Sequence, residues 1–393
     1  MRPVCAFVFS WHVPPVAGLR SPVRSSLALG ALLLSLSPGL RAQTPAVDSA
    51  TGAGTRDSRP APKAAAADAP RKAGKAGNAD ATGFAGRSDV GAFIDDMATA
   101  HGFDRAALAR AFRAARPQPA VIAAMDRPLL APPKWYEYAP PLLSPARVDG
   151  GVAFLAAHRA TLQRAERDYG VPPEVVVAIL GVESFYGANT GRHRTFDALA
   201  TLAFDYPRRA TFFRGELEHF LLLTRDLGAD PLAPRGSFAG ALGMPQFMPG
   251  SYRTFAVDFD ADGRIDLWRS TDDVIGSVAA YLARHDWQRG QPMLLPATTA
   301  GDGGALLLRR VEAGAGLSER RALEAWTADG LAVAAPADLA ADPVGVLALE
   351  RRDAEPELFV ACHNFYVITR YNRSRLYAAA VVALAQAIGA RSR

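Results

Sequence analysis

The chain has 393 residues, 49% of them apolar and 9% aromatic, enough for one large globular domain or two ordinary ones. Its formal charge is +5, but the excess sits at one end. Residues 1–86 hold 10 Lys/Arg and 4 Asp/Glu, which leaves 34 basic and 35 acidic residues for the rest. A neutral body gives no electrostatic argument for nucleic-acid binding, and beyond about residue 40 no apolar run is long enough to span a bilayer.

The N-terminal stretch reads as an export signal over 1–42. Arg20 and Arg24 precede the apolar run SSLALGALLLSLS (25–37), followed by Pro38-Gly39 and a small residue, Ala42, as the cleavage point. No cysteine closes the apolar run, so the expected location is the periplasm without a lipid anchor. Residues 43–86 are rich in Ala, Pro, Gly and Lys with scarcely a large apolar side chain, the composition of a disordered linker. Of the two cysteines, Cys5 leaves with the signal and Cys362 stands alone, which excludes an intramolecular disulfide in the mature chain. Cys362-His363 as a metal or nucleophile pair is weaker than core packing.

From residue 87 the pattern is mainly α with a minor β part. VGAFIDDMATAHGFDRAALARAFRAAR (90–116) predicts two amphipathic helices with Gly102-Phe103-Asp104 as turn and cap. APPKWYEYAPPLLSP (131–145) reads as a Pro-rich extended piece. GGVAFLAAHRATLQRAERDYG (150–170) reads as one helix closed by Gly170, and Pro172-Pro173 open the next. Further helices are expected at 212–228, 277–287 and 373–390. Between 291 and 360 the short apolar runs MLLPA, GALLLRRV, VGVLALE and ELFVACH read as strands of a small sheet.

Two features carry chemistry. Glu183 ends the apolar helix VPPEVVVAIL-GVESFYG (171–187), beside Phe185 and Tyr186. Lost hydration disfavours its charged form, and an acid still protonated near neutral pH can give its proton to a leaving oxygen. The alternative is a glutamate at a helix C-terminus pointing into water. Asp197 and Asp205 read as a helix cap and a turn residue, so no second acid is tied to Glu183. The second feature is DFDADGRIDLWRSTDD (258–273), with acids at loop positions 1, 3, 5 and 9 and Gly263 at 6, the rhythm of a calcium loop. Position 12 is Arg269, where a bidentate acid belongs.

GVESFYG, DALATLAFDYPRRA (197–210), GSFAGALGMPQFMPGSY (236–252), DFDADGRIDLW (258–268) and NFYVITRYNRSRLYAAAV (364–381) together resemble the B-type lytic murein transglycosylases. The likeness runs from about residue 88 to the C-terminus and is weakest over 291–360. It implies a lysozyme-like helical domain over 87–393, with an EF-hand-like calcium loop and a small inserted β region. Its parts are the helices up to the acid and beyond (87–235), groove motif and metal loop (236–290), β part (291–360) and C-terminal helix (361–393). The implied substrate is peptidoglycan, with Glu183 as acid/base. Ser237, Gln246, Phe247, Tyr138, Asn372 and Tyr377 match groove positions or polar residues near the acid. Asp258, Asp260, Asp262, Asp272 and the Arg264 carbonyl match calcium ligands, with Asp266 acting through water, sodium able to substitute, and no organic cofactor. Phe212 and Met244-Pro245 depart from the expected pattern. Arg208-Arg209 read as a solvated helix start or internal ion pair, and His193 as a loop residue. A monomer acting on glycan strands, within or outside a larger cell-wall complex, is expected. A hydrolytic muramidase and a non-catalytic peptidoglycan-binding scaffold remain the alternatives.

Overall fold

The computed structural model describes residues 83–126, 132–299 and 304–393. The export signal and all but the last four residues of the linker lie outside them. The compact body begins at Phe84, not at 87. Phe84 is 1% exposed and packs edge-on to Phe112 and against Phe204, so the linker expectation fails for its final residues.

The helices α1 (Ser88–His101) and α2 (Arg105–Ala114) form the expected pair, with Gly102 left-handed and the Asp104 side chain capping Ala107 N. A short α3 (Pro119–Met125) follows. The Pro-rich segment is a helix, α4 (Trp135–Leu142). Its buried residues Trp135, Ala139 and Leu142 form a stripe at i, i+4, i+7, while Pro140 and Pro141 lie exposed in the last turn, where each forfeits an i−4 hydrogen bond that the packing of the stripe offsets. The segment 150–170 is two helices, α5 (Pro145–Ala157) and α6 (Arg159–Tyr169), broken at His158, whose φ of −114° leaves the helical region.

Helix α7 (Pro173–Ser184) carries the glutamate. A two-residue β1 (His193–Arg194) precedes α8 (Thr195–Asp205), then α9 (Ala210–Asp226), β2 (Arg235–Gly236), α10 (Pro249–Phe255) and α11 (Thr271–Arg284). Strand β1 pairs antiparallel with β2, His193 opposite Gly236. Helices α7 and α8 are buried nearly all round, as helices at the centre of a large helical core must be.

The β part comprises β3 (Leu294–Thr299), α12 (Gly304–Ala313), β4 (Arg321–Ala322), α13 (Leu323–Ala328), β5 (Leu331–Val333), β6 (Pro343–Leu349) and β7 (Glu357–Ala361). Its five strands lie in the order β4-β6-β7-β3-β5, every pair antiparallel. GALLLRRV is a helix rather than a strand. Leu307 and Val311, four apart, turn inward, and Arg309 is exposed between them. The sheet covers its own small core around Trp326, Val346 and Val360. Helices α14 (His363–Tyr371) and α15 (Arg375–Arg391) return the chain to the helical body, with α15 packed on α7, α5 and α4. Cys362, at the junction, is buried and unpaired, and burial pushes its thiol up to about 12, which suits packing and not nucleophilic chemistry. No described helix is long and apolar enough to cross a membrane.

Candidate active site

The sequence PEVVVAILGVES makes α7 an apolar rod whose side chains from Val175 to Val182 are buried. Its end is unusual. Phe185 (φ 52°) and Tyr186 (φ 58°) are consecutive non-glycine residues in the left-handed region, a conformation that must be held from outside. Phe185 N donates to the Gly181 carbonyl at 3.2 Å and Tyr186 N to the Leu180 carbonyl at 3.1 Å, closing the helix. The Tyr186 hydroxyl donates to the Arg147 carbonyl at 2.7 Å, and the Arg147 guanidinium donates to the Gly181 carbonyl while lying 4.8 Å over the Phe185 ring. The Tyr186 hydroxyl fits only because Gly151 and Gly181 lack side chains; a Cβ on either would stand 2.6 Å from it. The two aromatics of ESFYG therefore lock the turn that follows Glu183 and Ser184.

Glu183 is partly exposed among residues that are almost all buried. The Tyr377 hydroxyl donates to its Oε1 at 2.7 Å. Burial lifts its pKa from the ordinary 4.5 to about 7, against the opposing pull of the Tyr377 hydrogen bond. Its charge in turn raises Tyr138, Tyr281, Tyr371 and Tyr377, in each case after the larger effect of burial, so four phenols surround one carboxyl. Two of them spend their protons on backbone: Tyr371 on the Pro245 carbonyl at 2.6 Å and Tyr281 on the Arg370 carbonyl at 2.7 Å. Acids elsewhere are committed: Asp197 pairs with Arg194 at 2.8 Å and Asp205 with Arg87 at 2.6 Å, while Glu216 accepts from Gly250 N at 2.9 Å. Asp197 sits inside the first turn of α8 as a paired, buried acid rather than as its cap.

The glycine-rich stretch 236–247 is a folded loop on the β1–β2 ladder, with bridges Gly236–Leu242 and Leu242–Phe247. The Ser237 hydroxyl accepts from Ala241 N at 3.0 Å and, more weakly, from Ala239 N at 3.3 Å. Gln246, itself at φ 53°, donates to the Thr190 carbonyl at 3.1 Å and the Gly243 carbonyl at 2.8 Å. Both side chains hold the loop, and both are partly exposed. Phe247 is corrected: it is 2% exposed and packed against Tyr281 and Tyr371, so its ring belongs to the core and is not offered to a sugar. Tyr377 is likewise fully buried and serves the acid rather than contacting substrate. Asn372 Oδ1 accepts from Ser374 N at 3.2 Å, and Ser374 caps α15 by accepting from Tyr377 N, so the turn around Asn372 sets where Tyr377 begins.

Among the departures from the expected pattern, Phe212 is 40% exposed and stacks on Arg209, with 4.1 Å from guanidinium to ring. Met244 lies against Gly187, where a Cβ would stand 2.9 Å from the methionine methyl. Arg208 reaches Asp126 at 3.4 Å, and His193 Nδ1 meets Gln118 at 2.8 Å. Tyr281, Tyr371 and Arg147 were not legible as site residues. They come from separate helices, and only the quoted RYNRSRLY motif, which contains Tyr371, offered a signal.

In the aspartate loop, carboxylate oxygens of Asp258, Asp260 and Asp262 lie within 4.8 Å of one another, all three residues exposed. Asp258 accepts from Gly263 N at 2.8 Å and Asp262 N at 3.2 Å, Asp262 from Arg264 N at 2.8 Å, and Asp260 from the Ser270 hydroxyl at 2.6 Å. Gly263 takes φ 87°, the sharp turn for which glycine is needed. Three converging hard oxygens fit a calcium-like cation. Asp272 lies outside this group of three, and its Oδ1 accepts from the Thr161 hydroxyl at 2.8 Å. The acid that ties the loop shut is its neighbour Asp273, 1% exposed, which accepts from Phe259 N and Asp266 N at 2.7 Å each. Asp266 caps the following turn through Trp268 N and Arg269 N.

A lysozyme-like helical body built around one shielded carboxylic acid defines a glycan-cleaving enzyme. Residues 85–386 match the Transglycosylase SLT domain family. The membrane-bound lytic murein transglycosylase B of Escherichia coli K12 is 40% identical over 319 residues, covering 78% of this chain and 84% of that protein. Among solved structures, soluble lytic transglycosylase SltB1 from Pseudomonas aeruginosa is 41% identical with a TM-score of 0.71, covering 78% of this chain and all of that one. The E. coli lytic transglycosylase Slt35 in complex with calcium is 40% identical with a TM-score of 0.71, covering 79% and 95%. The chain belongs to the Transglycosylase SLT domain family and is a lytic murein transglycosylase of the B type.

Proposed function

We propose that Glu183 is both the acid and the base of the transglycosylase reaction. Protonated Glu183 gives its proton to the glycosidic oxygen between N-acetylmuramic acid and N-acetylglucosamine, and the C1–O bond breaks. The 2-acetamido oxygen of the substrate supports the positive charge at C1. Glu183, now a carboxylate, takes the proton of the muramic acid 6-hydroxyl as that oxygen bonds to C1. The product is a 1,6-anhydro sugar, the acid is restored, and no water is consumed. One observation carries the reading: a single, partly exposed carboxyl whose pKa is raised by burial to about 7. The Tyr377 hydrogen bond supports it further by stabilising the carboxylate between the two proton transfers.

Ser237 and Gln246 retain, respectively, a hydroxyl proton and an amide oxygen beyond the bonds that hold their loop, and these suit the acetamido and hydroxyl groups of a glycan. Tyr138 fits a groove position beside Glu183. Asp258, Asp260 and Asp262 would hold a calcium ion, a reading supported by their converging oxygens and by the calcium complex of Slt35. The ion would supply fixed positive charge that draws the loop together, with no part in bond cleavage. The export pattern of residues 1–42 supports action in the periplasm on peptidoglycan strands.

Mass spectrometry of muropeptides released from purified sacculi tests the reaction. Products one water lighter than a hydrolase would give, lost in Glu183→Gln, are expected. Products retaining that water would turn the assignment to a hydrolytic muramidase.

A further inference from the structure

The helices bearing Tyr138 and Tyr377 meet at a third element, the end of β6 in the β part. Glu350, the residue after β6, accepts from Arg375 Nη2 with Oε1 at 2.7 Å and from Trp135 N with Oε2 at 3.1 Å. Arg375 also donates to the Ala348 carbonyl at 3.1 Å. Two residues beyond Glu350, the Arg352 guanidinium lies 5.1 Å over the Tyr136 ring. The stretch 348–352 thus grips the first residue of α15 and the first turn of α4 at once. Tyr377 lies two residues into α15 from Arg375, and Tyr138 one turn into α4 from Trp135.

The grip is shielded. The side chains of Arg375 and Glu350 are only 16% and 23% exposed. A Cβ on Gly316 would stand 2.5 Å from the guanidinium carbon, so the loop before β4 closes over the arginine. An ion pair held this way, with each carboxylate oxygen given its own donor, fixes geometry more than an exposed pair can.

Resting on Glu183 as the acid, we propose that Glu350 and Arg375 are positioning residues that clamp α4 and α15 so that the Tyr377 hydroxyl meets Glu183. The β part is then a bracket for the acid rather than an appendage. Neither clamp residue touches the reacting atoms; both act through the tyrosine.

Steady-state kinetics of the full chain on sacculus-derived glycan strands test this, with Glu350→Ala, Tyr377→Phe and the double variant. Glu350→Ala is expected to lower kcat about tenfold with KM little changed, a loss in the range of coupled neighbours. Releasing Tyr377 removes a bond that holds Glu183 down, so the alkaline limb of kcat/KM is expected to move to higher pH. The double variant should be no slower than Tyr377→Phe alone, and Glu350→Gln, whose single amide oxygen can keep only one of the two acceptor contacts, should recover only part of kcat. Additive losses or an unmoved limb would overturn the proposal. If Glu350→Ala does not fold, Arg375→Met is read by the same limb, and an unmoved limb there overturns it equally. Glu183→Gln run in parallel separates the two claims: retained turnover sinks the acid assignment, whereas lost turnover with unmoved limbs sinks only the clamp.

Discussion

The molecule treats carboxyl groups in two opposite ways. At the end of α7 a single acid is set among four phenols and apolar side chains, and burial raises its pKa. In the loop 258–262 three acids are exposed, fed by backbone N–H groups, and the Ser270 hydroxyl bond leads the causes that lower Asp260. The same functional group becomes a proton donor in one place and a cation cradle in the other. Desolvation decides the first and hydrogen bonding the second.

The largest effect should come from removing the buried acid. Glu183→Gln is expected to cut turnover by at least about a thousandfold, as loss of a general acid that also acts as base should. The same variant tests the burial argument through stability. The unfolded carboxyl ionises near the ordinary 4.5 and the folded one near 7. Between those values the unfolded state loses its proton first, so wild-type stability falls as pH rises through that window. The glutamine variant has no such loss. Melting temperatures should coincide near pH 4, and the variant should melt higher at pH 8.

Next in size is Phe247→Ala, expected to cost about 3–5 kcal/mol of unfolding free energy because it empties a packed site. If Phe247 bound sugar instead, KM would rise with little change in denaturant midpoint. For the loop, saturating calcium should stabilise by about 2.7 kcal/mol when present at a hundred times its Kd. Chelation should therefore lower the melting temperature, and Asp260→Asn should abolish the difference. Asp272→Asn should be the mildest, weakening calcium binding far less than Asp260→Asn in a calorimetric titration. Equal weakening would place Asp272 in the ligand set.

Much of this comparison was legible in the sequence. Glu183 stood out because an apolar helix gives an acid no reason to be there, and the Asp258-Asp260-Asp262 alternation with Gly263 specified a turn of converging oxygens. What failed did so for identifiable reasons. GALLLRRV was read as a strand because a short apolar run has no decisive period; the inward Leu307 and Val311 show it to be helical. The prolines of 131–145 argued against a helix, but the Trp135-Ala139-Leu142 stripe packs well enough to override them. Phe84 was lost in a polar linker because one aromatic carries no periodicity. Tyr281 on α11, Tyr371 on α14 and Tyr377 on α15 converge on Glu183 only through tertiary packing, which no local pattern records. That Asp273, beside Asp272 at a helix start, holds the loop through Phe259 N and Asp266 N was not legible either, because neighbouring side chains there face different partners.

The most direct test of the central claim is a titration of Glu183 itself, following its carboxyl carbon by NMR in selectively labelled protein with Glu183→Gln to assign the signal. A midpoint near 7 is expected, moving higher in Tyr377→Phe. A midpoint near 4.5 would mean that the acid is solvated and ionised at working pH, and the proton-donor account would be wrong.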